Sequence, residues 1–138
     1  MNPEILTRLV WAIGIVLFGL ALYKLTNQLV LNRAAGQAPV SDMGTPSILY
    51  FTTPDCAPCK TIQRPAIRRA QEIIGDQLKV VEVNAYEQPD LARQWGVMSV
   101  PTTFILDRSG KPVHINHGVT NADKLIKQIQ PIMMDFEI

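Results

Sequence analysis

A nearly unbroken apolar segment, Ile5 to Tyr23, most constrains what this 138-residue chain can fold into. Only Thr7 and Arg8 interrupt it, and the hydrocarbon core of a bilayer needs roughly 20 residues of apolar helix. The preceding residues, Asn2-Pro3-Glu4, are typical of a helix start. We therefore predict that residues 1–31 form one transmembrane signal-anchor helix.

A cleaved signal peptide is the alternative interpretation of this segment. Its cleavage site would be a small-x-small sequence close behind the apolar core. The first small residues come late, at Ala34-Ala35-Gly36, and Pro39 disfavours a cut after Ala38. An uncleaved anchor is therefore favoured. Positive charges flank both of its ends, so the positive-inside rule does not decide its orientation.

The rest of the chain divides into a linker and one small domain. Residues 32–45 are mostly small or polar, which is typical of a linker. Residues 46–138 then alternate between short apolar runs and helical periodicity, in the order β-α-β-α-β-β-α. We predict strands at 47–51, 78–84, 102–106 and 112–116 and helices at 58–74 and 89–95, with a last helix opened by a capping box at residues 120–123. The predicted inner face of the first helix carries Ile62, Ala66, Ile67, Ala70, Ile73 and Ile74.

The only two cysteines, Cys56 and Cys59, follow the first predicted strand and open a helix. Two thiols at this spacing can close a small disulfide ring reversibly. The free N–H groups of a helix N-terminus stabilise a thiolate and lower its pKa, which makes Cys56 the expected nucleophile. Cys59, one turn further in, is the expected resolving thiol. Pro58 suits a first helical turn, because it has no N–H to donate.

Two other uses of these cysteines are disfavoured. A static disulfide across so short a loop would contribute little stability, because loop-closure entropy grows with loop length. A zinc site would need two further ligands, and His114 and His117 are closer together than the usual finger spacing. We therefore expect no metal site.

Two motifs together resemble the thioredoxin family. They are Thr52-Thr53-Pro54-Asp55-Cys56-Ala57-Pro58-Cys59-Lys60 and Val97-Met98-Ser99-Val100-Pro101-Thr102-Thr103-Phe104. The resemblance covers about residues 47–132 and implies an α/β fold, a minimal thioredoxin-like domain with a mixed four-stranded sheet flanked by helices. It also implies a cis peptide at Val100-Pro101 that faces the cysteines. The implied substrate groove is formed by Val100, Pro101, Gly118, Ala57 and Pro58.

This sequence departs from the family pattern at several positions. Pro65 lies one residue later than the proline that usually kinks the active-site helix, so we expect that helix to bulge or shift register. Tyr50 stands where a buried acid is common, and Asp55 where tryptophan is common. Glu82 stands where the next strand often has a lysine. An acid under the disulfide helps to take the proton from the resolving thiol, and our hypothesis is that Glu82 supplies that proton transfer. The equally favoured alternative is that Glu82 is an exposed strand residue with no such role.

These features predict a membrane-tethered thiol-disulfide oxidoreductase that exchanges its disulfide with protein partners. Reduction of the partner is the favoured direction. Its cofactor would be the redox-active disulfide alone, and its partners would be protein thiols and disulfides, an upstream redox protein as electron donor, and membrane lipid. The net charge of +1 argues against nucleic acid. We predict the domain on the extracytoplasmic side, because a tether is most useful where clients cross or sit on that membrane. The lack of extra cysteines is consistent with selection against mispairing in an oxidising space. The alternative is a non-catalytic accessory subunit of a membrane complex, with the domain as a binding module.

Overall fold

The structure, a computed structural model, describes residues 2–34 and 44–135, which fall into two compact units that meet in sequence at Val30/Leu31. Helix α1, Pro3–Ala34, runs three residues past the predicted end at residue 31. Over Pro3–Leu29 it is long and apolar enough to cross a membrane, a property that signal sequences share. The remainder of the predicted linker, up to residue 43, lies outside the described residues.

The second unit has the predicted order of elements, β-α-β-α-β-β-α. Their bounds are β1 Ser47–Thr52, α2 Arg64–Ile74, β2 Lys79–Asn84, α3 Pro89–Gln94, β3 Thr102–Leu106, β4 Pro112–His117 and α4 Ala122–Met134. The strands form one sheet in the order β2-β1-β3-β4. β1 runs parallel to β2 and antiparallel to β3, and β4 is antiparallel to β3. The predicted mixed four-stranded sheet is confirmed.

Strand β1 is buried along its whole length because helices cover both faces of the sheet. Alternate side chains of a strand point to opposite faces. Ile48 and Tyr50 pack with residues of α2 and α4, whereas Leu49 and Phe51 pack with α3 and the buried ring of Trp95. This sandwich fixes the carboxyl end of β1, from which the two cysteines follow.

Two details of the helices differ from the predictions. Ile62 and Ile73, expected on the inner face of the first helix, are 52% and 59% exposed, and the polar Gln63 is fully buried instead. The last helix is capped by Asn121, whose side chain accepts the Lys124 N–H at 2.9 Å, rather than by a box that starts at Thr120. Thr120, the residue before this cap, instead bonds to Gln63 through its backbone N–H and C=O.

Candidate active site

The cysteine pair lies where β1 gives way to a helix. Cys56 and Cys59 form a disulfide with their Cα atoms 5.3 Å apart. Cys56 is 9% exposed, whereas Cys59 is fully buried. A reacting partner can therefore reach the Cys56 sulfur more readily than the Cys59 sulfur.

Backbone groups of the first helical turn surround the Cys56 sulfur. The Cys59 N–H points at Cys56 Sγ at a distance of 3.3 Å, and the Lys60 N–H donates to the Cys56 carbonyl. An N–H directed at sulfur favours its thiolate over its thiol, because the charged form accepts the stronger hydrogen bond. The fold thus provides the thiolate stabilisation expected at a helix N-terminus.

The helix continues as a π-helical turn, Cys59–Gln63, before α2 begins. Its widened turn is closed by the Arg64 N–H, which donates to the Cys59 carbonyl five residues earlier. Single π turns accommodate one extra residue in a helix and recur at functional sites. Pro65 follows directly, so the bulge expected from its late position is confirmed.

Gln63 ties this turn to the loop after β4. Its amide oxygen accepts the Thr120 N–H at 2.8 Å, and its amide nitrogen donates to the Thr120 carbonyl at 3.1 Å. Two residues earlier, Gly118 has the positive φ of 80° that favours glycine and donates its N–H to the Pro101 carbonyl at 2.9 Å. We call this chain of bonds, from Gln63 through Thr120 and Gly118 to Pro101, the Gln63 clamp.

The peptide bond between Val100 and Pro101 is cis, as expected. Val100 also lines a groove of about 910 Å³ that runs past the exposed edge of Cys56. The groove is open and mostly apolar, and its other lining residues are Thr53, Asp55, Ala57, Pro58, Ala85, Tyr86, Pro89, Ala92, Arg93, Val97, Met98 and Ser99. Cys56 therefore opens onto a surface that can hold an extended segment. Pro101 and Gly118, predicted in the groove, are joined to it through the clamp rather than among its lining residues.

Tyr50 lies below the disulfide, at the position where a buried acid is common in the family. Its side chain is 1% exposed, and its hydroxyl donates to the Cys59 carbonyl at 3.2 Å. Burial raises the pKa of Tyr50, an effect that a hydrogen bond from Thr52 opposes. The hydroxyl therefore stays protonated at neutral pH and cannot serve as a base for the Cys59 thiol.

Glu82 is the register partner of Tyr50 on β2. Its carboxylate lies 2.6 Å from the Arg64 guanidinium, and its side chain is 44% exposed. The Glu82 carboxylate raises the pKa of Tyr50, and the Arg64 guanidinium lowers it. Glu82 thus carries an acid into the neighbourhood of Tyr50, held at the surface by an ion pair.

Asp55 and Tyr86 form one edge of the groove. The Tyr86 hydroxyl donates to Asp55 Oδ2 at 3.1 Å. The pKa of Asp55 is lowered by a hydrogen bond from the Thr53 side chain first, and then by its own backbone N–H and Tyr86. The carboxylate beside Cys56 is therefore ionised at neutral pH.

In the part of the chain that the structure describes, no three His, Cys, Asp or Glu side chains are grouped so that they could hold a metal ion. His114 and His117 lie on β4 and are paired with Ile105 and Thr102 of β3.

Sequence reasoning missed Gln63, Tyr86 and the role of Tyr50 as a hydrogen-bond donor. The late Pro65 signalled the π turn, but a glutamine in an amphipathic helix usually faces solvent. Its burial depends on Thr120, which is 57 positions away along the chain. The position of Tyr86 against Asp55 likewise depends on the fold and had no local signal.

Comparison with known proteins matches residues 27–131 to the family model described as Thioredoxin. A thioredoxin-like protein of Synechocystis is 32% identical over 85 residues, which are 62% of this chain and 79% of that protein. Thioredoxin Y, a chloroplastic protein of Oryza sativa subsp. japonica, is 31% identical over 85 residues, and the match spans 49% of its length.

Solved structures share the same architecture. A crystal structure of a chloroplastic thioredoxin z aligns with a TM-score of 0.60 and 25% identity, over 67% of this chain and 81% of that one. The alignment supports the assignment of the domain to this fold class.

Proposed function

The chain belongs to the thioredoxin family, and from that premise we propose that it is a thiol-disulfide reductant tethered to a membrane. Homologues in this family are thiol-disulfide oxidoreductases that work through a redox-active disulfide without a cofactor. The observation that carries the proposal is the graded burial of the pair, with Cys56 at the groove and Cys59 beneath it.

The proposed reaction uses only the two cysteines and a partner disulfide. The Cys56 thiolate attacks one partner sulfur, the partner S–S bond breaks, and the released partner sulfur leaves as a thiolate. Cys59 then loses its proton and attacks Cys56 Sγ, which frees the second partner thiol. Two electrons have moved to the partner, and the chain holds the Cys56–Cys59 disulfide. The direction depends on the difference between the two reduction potentials.

The substrate strand is proposed to lie along the groove beside Val100. A backbone next to a cis-proline can offer its N–H and C=O to an extended chain, as in strand addition. Ala57, Pro58 and Val100 line this surface. Gly118 and Pro101 are proposed to support it through the Gln63 clamp.

Glu82 is proposed to accept the proton of Cys59. Tyr50 cannot do so because its hydroxyl remains protonated and points at a carbonyl. Glu82 is the acid on the adjacent strand position, and its exposed carboxylate can exchange a proton with water.

The tether is proposed to be α1, inserted as an uncleaved anchor in contact with membrane lipid. Support comes from its length and its apolar composition over Pro3–Leu29. We propose that the domain lies on the extracytoplasmic side and is reduced by an upstream redox protein. A tether is most useful where clients cross or sit on that membrane.

Insulin reduction by the full chain in non-ionic detergent, with dithiothreitol as electron donor, tests the activity. We expect turnover by the unmodified chain, none by Cys56→Ser, and accumulation of a mixed disulfide with Cys59→Ser. Absence of turnover with every donor, together with stable co-purification with a membrane complex, would instead support the accessory-subunit alternative.

A membrane-impermeant maleimide added to intact cells tests the side and the redox state together. We expect Cys56 to be labelled from outside and largely reduced. Labelling only after permeabilisation would place the domain on the cytoplasmic side.

A further inference from the structure

The groove beside Cys56 carries an uneven charge. Of its fourteen lining residues only Asp55 and Arg93 are charged. The Arg93 guanidinium lies 2.6 Å from a carboxylate oxygen of Asp90, which offsets its positive charge. The hydrogen-bond donors that hold Asp55, by contrast, are neutral: Tyr86, the Thr53 side chain and a backbone N–H. The negative charge of Asp55 is therefore the less compensated of the two.

Asp55 also lies where a client must pass. It directly precedes Cys56, so a chain whose disulfide is attacked brings its neighbouring residues close to this carboxylate. Lys60 also lowers the pKa of Asp55, but its influence is smaller than those of the hydrogen bonds and of burial. Lys60 follows Cys59 and is not among the residues that line the groove.

The rest of the groove suits a client with apolar groups next to that charge. Met98 is 97% exposed and Tyr86 is 64% exposed, so both side chains present apolar surface that a client can contact. A methionine adapts to differently shaped apolar partners. The hydrogen bond to Asp55 meanwhile fixes the Tyr86 ring beside the carboxylate.

We propose that Asp55 is a specificity-determining residue, which favours client segments that carry Lys or Arg next to the attacked cysteine. The inference rests on the proposed reductant function and names its substrate class. The client would pair its cation with Asp55 while its sulfur lies at Cys56 and its apolar groups contact Met98 and Tyr86. Because the ion pair is exposed to solvent, we expect a preference of about two- to fivefold.

Three peptides with one internal disulfide each test this proposal. They are identical except for Lys, Ser or Glu beside one cysteine. The full chain, reduced with dithiothreitol and desalted in non-ionic detergent, is mixed with each peptide, and the rate of peptide reduction is measured at low and at high salt. Each event transfers two electrons from the Cys56/Cys59 dithiol to the peptide. We expect the order Lys, Ser, Glu, with the differences shrinking at high salt.

Three variants distinguish the causes. Asp55→Asn should abolish the preference, and Asp55→Glu, which keeps the charge, should retain it. Asp76→Asn changes the net charge equally but lies in the exposed turn after α2, and it should leave the preference intact. Equal rates for the three peptides with the unmodified chain would overturn the proposal. So would an Asp55→Asn effect of equal size on all three, because Asp55 would then act on the Cys56 thiolate alone. If no peptide is reduced, the proposed function fails together with this inference.

Discussion

Tyr50 changes the chemistry available beneath the disulfide. A carboxylate at this position could take a proton from Cys59, whereas the Tyr50 hydroxyl is a buried donor whose pKa is raised by desolvation. The acid nearest in register, Glu82, is on the surface and bound to Arg64. In the proposed mechanism, the residue that takes the proton from Cys59 is therefore a different one from Tyr50, which bonds to the Cys59 carbonyl.

Substitution of Glu82 tests this division of roles. We expect Glu82→Gln to slow the resolution of the mixed disulfide about 100-fold, the lower end of what a general base contributes, and to change its pH dependence. The measurement is the rate of partner release by stopped flow between pH 5 and 9. Arg64→Gln breaks the same ion pair but keeps the acid, so it should resolve the mixed disulfide much faster than Glu82→Gln. An unchanged profile in Glu82→Gln would show that another group takes the proton.

At the scale of the element, the π turn determines which side chains face inward. From Gln63 the buried positions continue through Ile67 and Ala70 along α2. This narrow stripe leaves Ile62 and Ile73 on its flanks, which explains their exposure. Because the stripe begins with a polar residue, the helix needs a partner for that amide, and the backbone of Thr120 provides it.

Loss of the hydrogen bonds between Gln63 and Thr120 should lower the free energy of unfolding. Gln63→Ala would leave the buried N–H and C=O of Thr120 without their hydrogen bonds, at about 1–3 kcal/mol for an unsatisfied buried group. We therefore expect the free energy of unfolding to fall by about 2–4 kcal/mol, as measured by urea denaturation of the full chain in detergent. Gln71→Ala changes an exposed glutamine of the same helix, and should cost less than about 0.5 kcal/mol. Similar losses in the two variants would mean that the clamp contributes little.

At the scale of the molecule, the elements that local signals define were predicted well and the contacts between them were not. The apolar run of β1 and the cysteine spacing each lie within a few consecutive residues, and the cis Val100-Pro101 peptide was implied by the resemblance of residues 97–104 to the thioredoxin family. The Gln63–Thr120 and Asp55–Tyr86 contacts join residues that are far apart in sequence, so only the folded chain brings them together.

Stability of the whole chain should depend on pH through His114. Burial first, and Lys124 second, lower its pKa in the folded state. The unfolded state therefore binds more protons, and stability is lost as the pH falls below the unfolded value of about 6.5. We expect the melting temperature to decrease less for His114→Gln than for the unmodified chain when the pH is lowered from 7.5 to 5.5. The matched control is His117→Gln, which should follow the unmodified chain; equal losses in all three would exclude His114 as the cause.

The proposed membrane attachment can also be tested at this scale. We expect the full chain to stay with membranes during alkaline carbonate extraction. Ile15→Arg with Leu17→Arg places two charges near the middle of α1, at about 2.5–3.5 kcal/mol each on insertion scales. This variant should appear in the soluble fraction, whereas Ile15→Ala with Leu17→Ala should not. Retention of the arginine variant would argue against α1 as the anchor.

The Gln63 clamp has a consequence for anyone who exchanges parts between related domains. The side-chain amide of Gln63 joins the helix that holds Cys59 to the loop that supports the cis-proline. The two segments therefore depend on each other structurally. A graft that replaces residues 118–120 alone can place the backbone N–H and C=O at residue 120 where the Gln63 amide does not reach them. The loop and the π turn therefore have to be transplanted together for the recipient to keep a working site.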